Sequence, residues 1–303
     1  EVDYEILNTV NASYGPSSPT DFDLGEQIQF ENLMNLDFVT VADVGLSSDL
    51  NIAYGLQYHR EQFQLVAGQT ESWAAGPYAD QGGSIGSNGF QGFSSDYTGK
   101  FDRESSAAYI DFEADLTDAL LMGAAFRYEH FSDFGDTFDG KVSARLTVVE
   151  GFNLRGAVST GFRAPSIGQS NLQRSATVFE NGALVNSLTV PPTDGAARIL
   201  SDEAIISAYN SANGTNVETI NAEELAPEES TNISIGAALE LGPVDLTIDF
   251  YQIQVDDRIT LRSNVGLSDD QRAVLEDQGV RDFNVASISY FTNSLDTTTR
   301  GVD

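Results

Sequence analysis

Two short motifs contain residue types that perform chemistry in other proteins. Residues 82–86 (Gly-Gly-Ser-Ile-Gly) fit the G-x-S-x-G pattern, in which a serine nucleophile occupies a turn between a strand and a helix. Here the motif lies in a stretch rich in Gly and Ser, and the two histidines, His59 and His130, fall in strand-like patterns. Gly99-Lys100 lacks both the Ser or Thr and the glycine spacing of a phosphate-binding loop. We therefore expect no catalytic residue.

A turn rich in acidic residues raises the question of a metal site. Asp133, Asp136 and Asp139 lie close together with Gly135 and Gly140, and carboxylate oxygens at this density can bind Ca²⁺. The order departs from that of an EF-hand loop, and solvated turn residues are the default interpretation. Two histidines and no cysteine make a zinc site improbable. We expect no metal and no cofactor, and leave calcium at this turn open.

Six charged residues recur at alternate positions of neighbouring segments, and they are Arg127, Glu129, Lys141, Arg145, Arg155 and Arg163. Apolar residues such as Phe126 and Val142 occupy the intervening positions. Successive side chains of a strand point to opposite faces, so this pattern predicts strands with one polar and one apolar face.

The same period-two alternation extends along most of the chain and predicts ten strands. Their ranges are 3–14, 27–43, 50–68, 104–115, 119–131, 139–149, 152–163, 228–240, 244–257 and 286–303. Most have the roughly 9–11 residues that a tilted strand needs to cross a bilayer.

The predicted connections alternate in length along the chain. The short connections lie near 47–49, 116–118, 150–151 and 241–243, and the long ones at 15–26, 69–103, 132–138, 164–227 and 258–285. Short turns at one end and long loops at the other are typical of an antiparallel up-and-down transmembrane β-barrel. The loops also contain two helix starts, Ser268 with Gln271 as a capping box before Gly279, and Ser201 before Asp202.

Composition limits the remaining classes. The 303 residues include 15 Lys and Arg against 46 Asp and Glu, a net charge of −31, which repels nucleic acid. No apolar run reaches the length of about 18 residues that a transmembrane helix requires.

In a barrel, a charge on the lipid face costs about 2–4 kcal/mol at mid-membrane, so the six charged residues are expected to face the lumen. They would contact a plug or an anionic solute, or form a hydrated, ion-paired wall, which we favour.

Several segments resemble the barrel domain of TonB-dependent outer-membrane receptors. They are Ser159-Thr160-Gly161-Phe162-Arg163-Ala164-Pro165-Ser166, Leu225-Ala226-Pro227-Glu228-Glu229-Ser230-Thr231-Asn232, Phe291-Thr292-Asn293 with Thr299-Arg300-Gly301-Val302-Asp303, and Tyr128-Glu129-His130-Phe131-Ser132-Asp133-Phe134-Gly135. No segment is decisive alone, but their order and spacing, in register with the strands, make the resemblance strong from about residue 30 onward.

This resemblance implies an outer-membrane receptor that imports a scarce nutrient and is no enzyme. The family has a barrel of about 22 strands whose lumen holds an N-terminal plug. Its partners would be outer-membrane lipid, the plug domain of the same full-length chain, the TonB energy-coupling complex and a small-molecule nutrient, with no nucleic acid. Ten strands, no plug and no terminal aromatic residue indicate that residues 1–303 are a fragment of the barrel domain.

Loops rich in Asn, Ser, Gly, Tyr and Phe, chiefly 69–103 and 164–227, suit an iron chelate or a carbohydrate-like ligand of a receptor.

Two hypotheses about function compete with an import receptor. The first alternative is a secreted, acidic, β-rich binding or adhesion module, which should carry charges on its outward face at mid-strand. The second is an esterase built around Ser84, which would require a strand-turn-helix context.

Overall fold

The computed structural model describes residues 1–95, 97–180, 183–193, 195–280 and 285–303. The predicted loops 69–103, 164–227 and 258–285 include the residues that lie outside these ranges. The described residues form one sheet of twelve strands. The strands are β1 (Val2–Ile6), β2 (Phe22–Ala42), β3 (Leu50–Ala67), β4 (Gly99–Thr117), β5 (Leu120–Phe131), β6 (Gly135–Val149), β7 (Phe152–Arg163), β8 (Arg174–Glu180), β9 (Ala183–Thr189), β10 (Glu228–Leu241), β11 (Val244–Gly266) and β12 (Val285–Val302).

The strand order is nearly sequential. It runs β1-β2-β3-β4-β5-β6-β7-β10-β11-β12-β9-β8, and each pair is antiparallel except β12 with β9. Tight turns such as Glu150–Gly151 keep the register continuous from β2 to β7. Long strands with regular antiparallel ladders confirm the predicted partial up-and-down barrel architecture.

The first predicted strand, 3–14, is wrong beyond its start. β1 ends at Ile6, and Ala12–Ser17 form a 3₁₀ helix. Asn8 has a left-handed backbone (φ 57°), which interrupts an extended strand. Asn11 then caps the helix, since its side chain accepts a hydrogen bond from the Ser13 amide at 3.1 Å.

Four predicted loops are shorter than expected because strands extend into them. The loop 15–26 is shortened because β2 begins at Phe22. β4 already begins at Gly99, and β11 continues to Gly266. The predicted long connection 132–138 is only the turn 132–134, since β6 starts at Gly135. The loop 164–227 contains the hairpin β8–β9, which makes twelve strands where ten were predicted.

Five short helices lie in the connections: α1 (Thr70–Trp73), α2 (Ile167–Asn171), α3 (Gly195–Ser201), α4 (Glu203–Asn213) and α5 (Asp269–Asp277). The predicted capping box at α5 is confirmed, because Ser268 and Gln271 exchange hydrogen bonds of 3.0 and 3.1 Å. The predicted start at Ser201 is shifted by one residue: Asp202 caps α4 and accepts from the Ala204 and Ile205 amides. In the part of the chain that the structure describes, no helix is long and apolar enough to cross a membrane.

The hydrophobic core lies in the long connections and not on the sheet between them. Its largest cluster joins α3, α4 and α5 to the start of β12, and Leu200, Val274 and Ile288 there are almost fully buried. A second cluster joins Phe63 of β3 to Phe93 and to other residues of the neighbouring connections. The connections are therefore folded modules with cores of their own.

One face of the sheet remains apolar and uncovered. Large aliphatic and aromatic side chains are exposed along β2, β5, β10 and β11, including Leu36, Phe126, Ile235, Leu246 and Phe250. Soluble monomers rarely expose apolar surface this continuously. This surface, which we call the apolar face, has the chemistry of one that meets lipid.

Substituting Ile235→Arg tests this interpretation. Ile235 is 65% exposed on the apolar face, and a guanidinium facing lipid at mid-membrane costs about 2–4 kcal/mol. We expect the full-length protein to lose folded, heat-modifiable barrel in outer membranes. Ser234→Arg, one residue earlier and on the opposite face, is the control and should fold normally. Equal folding of both variants would contradict a lipid-facing surface.

Candidate ligand-binding face and its charged pairs

The polar face of the sheet carries charged residues that are paired with one another. Arg127 donates to Glu129 at 2.7 Å, and Ser105 donates to the other Glu129 oxygen at 2.8 Å. Arg127 also donates to Gln57, which lies two strands away on β3. Glu129 is buried, and these contacts with neighbouring side chains of the polar face compensate its negative charge.

The Arg155 and Asp249 pair spans β10, which lies between their two strands. Arg155 lies opposite Gly236 of β10, and Gly236 lies opposite Asp249 of β11. The Arg155 Nε donates to Asp249 Oδ1 at 2.8 Å above the glycine. A Cβ on Gly236 would lie 1.9 Å from that carboxylate oxygen, so the absent side chain leaves room for the ion pair.

The same arrangement recurs on β3 and β12. Gly55 lies between Asp37 and Tyr109 in register, and the Tyr109 hydroxyl donates to Asp37 at 2.7 Å across it. The Tyr251 ring covers Gly301, where a Cβ would lie 2.3 Å from the ring. Glycines on the polar face thus let long polar side chains lie flat across neighbouring strands.

Arg163 and Glu228 join three strands at the end of the sheet where the long connections leave. The Arg163 Nε donates to Glu228 Oε2 at 2.9 Å. The other Glu228 oxygen accepts from the Ile259 amide at 2.7 Å, which ties β10 to β11. Glu228 is buried, and both of its oxygens are satisfied.

Two of the six charged residues predicted from the sequence remain without such a partner. Lys141 and Arg145 are exposed on β6, and neither forms a salt bridge with another described residue. Arg145 lies directly opposite Arg155, which is a like charge. The other four are ion-paired, whereas their placement in a lumen remains a prediction.

Sequence reasoning missed Arg103, the most completely buried charged side chain of this region. Its exposure is 3%, and it donates to Asp133 at 2.7 Å and to the Pro165 carbonyl at 2.6 Å. Its guanidinium also lies 5.4 Å from the centre of the Phe134 ring. Arg103 thereby fastens the β5–β6 turn to the segment after β7. In the sequence, only the position of Asp133 among aromatic residues pointed to these contacts of Arg103.

A cavity of about 440 Å³ lies beside this cluster. The residues that line it include Arg103, Asp133, Ile167, Pro192 and Glu224. The Arg103 donors are already bound to other residues of the cavity wall. Arg103 therefore stabilises this wall.

The acidic turn considered for calcium does not gather its carboxylates. Asp133 pairs with Arg103, and Asp136 accepts from the Tyr128 hydroxyl and lies 2.6 Å from the His130 ring nitrogen. Within the part of the chain that the structure describes, the one group of metal-binding geometry is Glu1, Asp3 and Glu26, which lies elsewhere.

Ser84 lacks the surroundings of a nucleophile. It is buried, its carbonyl accepts from the Ser13 amide at 3.0 Å, and no strand-turn-helix surrounds it. His59 and His130 lie on β3 and β5, away from this connection. These surroundings do not meet the structural requirement of the esterase motif.

The residues of the first family motif lie at the exit of β7. The Gly161 carbonyl accepts from Ser230 at 3.1 Å, and the Phe162 ring meets the Phe131 ring edge-on at 5.6 Å. Pro165 is fully buried, and its carbonyl accepts from Arg103.

The remaining motif positions lie on β10 and β12. Pro227 is half-buried before β10, Glu229 is exposed, and Asn232 donates to Ser230 at 3.4 Å. Arg300 donates to Gln252 of β11 at 2.7 Å, beside Gly301. The motifs therefore stabilise strand junctions.

Gly236→Ala tests whether the polar face depends on its glycines. The methyl group would collide with Asp249 and displace the Arg155 pair, which we expect to cost about 1–3 kcal/mol of unfolding free energy. Gly266→Ala is the matched control, since Gly266 ends the neighbouring strand β11 and has nothing within 4 Å of its Cβ position. Urea unfolding of the full-length protein from lipid vesicles measures both. Similar losses in the two variants would contradict the role of Gly236.

Comparison with solved structures shows the same fold in outer-membrane receptors. The chain superposes on the siderophore receptor PirA of Pseudomonas aeruginosa with TM-score 0.58 and 12% identity, covering 93% of this chain and 40% of that one. A ferric enterobactin receptor (PfeA) variant from the same organism, in complex with enterobactin, gives 0.58 and 12%, covering 98% and 36%. The hemophore receptor HasR of Serratia marcescens gives 0.54 and 11%, covering 93% and 40%.

The chain thus spans less than half the length of these receptors. No curated protein sequence matches it. The family model described as "TonB dependent receptor-like, beta-barrel" matches residues 2–303, almost the whole sequence. Proteins of that family are receptors of the Gram-negative outer membrane and are transporters, not enzymes. The chain therefore belongs to the β-barrel family of TonB-dependent outer-membrane receptors.

Proposed function

We propose that the full-length protein is a TonB-energised outer-membrane receptor that imports a scarce nutrient, either an iron chelate or a carbohydrate-like ligand. The arrangement of the connections carries this proposal. The segments 68–98, 164–227 and 267–284 all leave the sheet at one end, whereas the opposite end has only short turns such as 150–151. Packed modules at one end of a barrel can hold a ligand at the cell surface.

The polar face would line the lumen of the complete barrel. The opposite face is apolar and exposed, and strand alternation then directs Arg127, Glu129, Lys141, Arg145, Arg155 and Arg163 inward. The paired residues among them would form a hydrated wall. The exposed Lys141 and Arg145 would be available to contact a plug domain elsewhere in the same full-length chain.

Ligand capture would fall to the two largest connections, 69–98 and 164–227. The similar structures carry the names of a siderophore receptor, a ferric enterobactin receptor and a hemophore receptor with heme. Those names support an iron-containing ligand, whereas the uncharged polar and aromatic residues of the two connections are equally compatible with a carbohydrate. A secreted binding module would not account for the continuous apolar face.

The test separates surface binding from energised transport. In the native host, cells lacking TonB should still bind radiolabelled ligand at the outer surface but should not accumulate it, because the energy supply is removed and the binding site is not. Cells lacking this receptor should do neither. Ferric enterobactin, heme and neutral oligosaccharides are the probes. Undiminished accumulation without TonB would contradict the proposal.

A further inference from the structure

A cleft with unsatisfied polar groups lies between the connection that follows β3 and the hairpin β8–β9. Its volume is about 270 Å³, close to the lower limit of about 300 Å³ for small-molecule sites. Trp73 and Phe93 come from the first segment, and Ser175 and Leu188 come from the hairpin. Both segments belong to the end of the sheet from which the long connections leave.

Two buried polar atoms at this cleft have no hydrogen-bond partner, Gln91 Oε1 and Ser175 Oγ. Gln91 is 6% exposed and Ser175 is 8% exposed. Buried polar atoms are almost always paired, because burying one without a hydrogen-bond partner destabilises the folded state. Of the described residues, only Thr137 has a further unpaired side-chain atom of this kind, and it does not line the cleft.

The orientation of the Gln91 amide is fixed by its other end. Its Nε2 donates to the Trp73 carbonyl at 2.9 Å. Turning the amide over would place two carbonyl oxygens against each other, so Oε1 stays free to accept. Ser175 Oγ can both donate and accept. The residues that line the cleft therefore include one unpaired acceptor and one unpaired hydroxyl together with the aromatic Trp73 and Phe93.

Charge is scarce among the described residues that line the cleft. Arg174 is the one charged side chain, and its guanidinium lies over the Phe90 ring at 5.8 Å. No carboxylate of the described residues lines it, although Asp and Glu number 46 in the chain. The cavity near Arg103 differs, because charged groups line it and neighbouring side chains or carbonyls satisfy that arginine.

We infer that this cleft binds one ring of a neutral, polyhydroxylated ligand, such as a single sugar unit of an oligosaccharide. An aromatic face covers the apolar face of such a ring, while the amide oxygen and the hydroxyl pair with ring hydroxyls. The net charge of −31 repels a polyanionic chelate, whereas a neutral sugar is indifferent to it. This inference rests on the proposed receptor function and specifies its ligand class.

Ser175→Ala and Ser87→Ala make a matched pair. Ser175 Oγ has no partner among the residues that the structure describes, whereas the buried Ser87 Oγ, in the connection after β3, donates to the Phe90 carbonyl at 2.6 Å and lies outside the cleft. We expect Ser175→Ala to weaken oligosaccharide binding about two- to tenfold without lowering the unfolding midpoint. Ser87→Ala should lower the midpoint and leave the affinity unchanged.

The experiment uses the full-length receptor in detergent and measures equilibrium binding of maltohexaose, cellohexaose, laminarihexaose, ferric enterobactin and heme. Binding of a hexasaccharide that Ser175→Ala weakens supports the inference. Failure of all three sugars to bind, or sugar binding indifferent to Ser175→Ala, overturns it. TonB-dependent accumulation of ferric enterobactin or heme, unaffected by Ser175→Ala, would leave the receptor function standing while the sugar cleft falls.

Discussion

The antiparallel backbone ladder is the constraint on which the rest of this structure depends. In the hydrocarbon region of a membrane no water is available, so each peptide N–H and C=O must find its partner in a neighbouring strand. The sheet meets this requirement from β2 through β7 and on to β12 by nearly unbroken registers. Once the ladder is fixed, alternation gives the sheet one apolar face and one polar face.

Polar side chains on that second face are organised by the spacing between strands. Arg155 reaches Asp249 because Gly236 leaves the intervening position empty, and Tyr109 reaches Asp37 across Gly55 in the same way. Charges are thus neutralised in the plane of the wall. At the end of the sheet with long connections, hydrophobic clusters and Arg103 are buried in folded modules.

Sequence alone predicts the parts of the fold that alternation controls. The strands β5, β7 and β10 follow their predicted limits closely, because an apolar face leaves a period of two in the residues. The hairpin β8–β9 was not predicted, and its sequence shows no comparably long period-two pattern. The sequence also does not show which charged residues form ion pairs. Arg145 and Arg155 have the same spacing pattern, but the carboxylate that pairs with Arg155 belongs to Asp249, about 90 positions away. The buried contacts of Arg103 with Asp133 and Pro165 are likewise non-local.

The central claim is that the apolar face meets lipid while the polar face meets water. Spin labels placed singly along β10 of the full-length protein in lipid vesicles test it most directly, because oxygen concentrates in lipid and a nickel chelate stays in water. We expect collisions with oxygen to peak at Ile233, Ile235 and Ala237 and collisions with nickel to peak at Asn232 and Ser234, with a strict period of two. Equal accessibility to both reagents along the strand would contradict it.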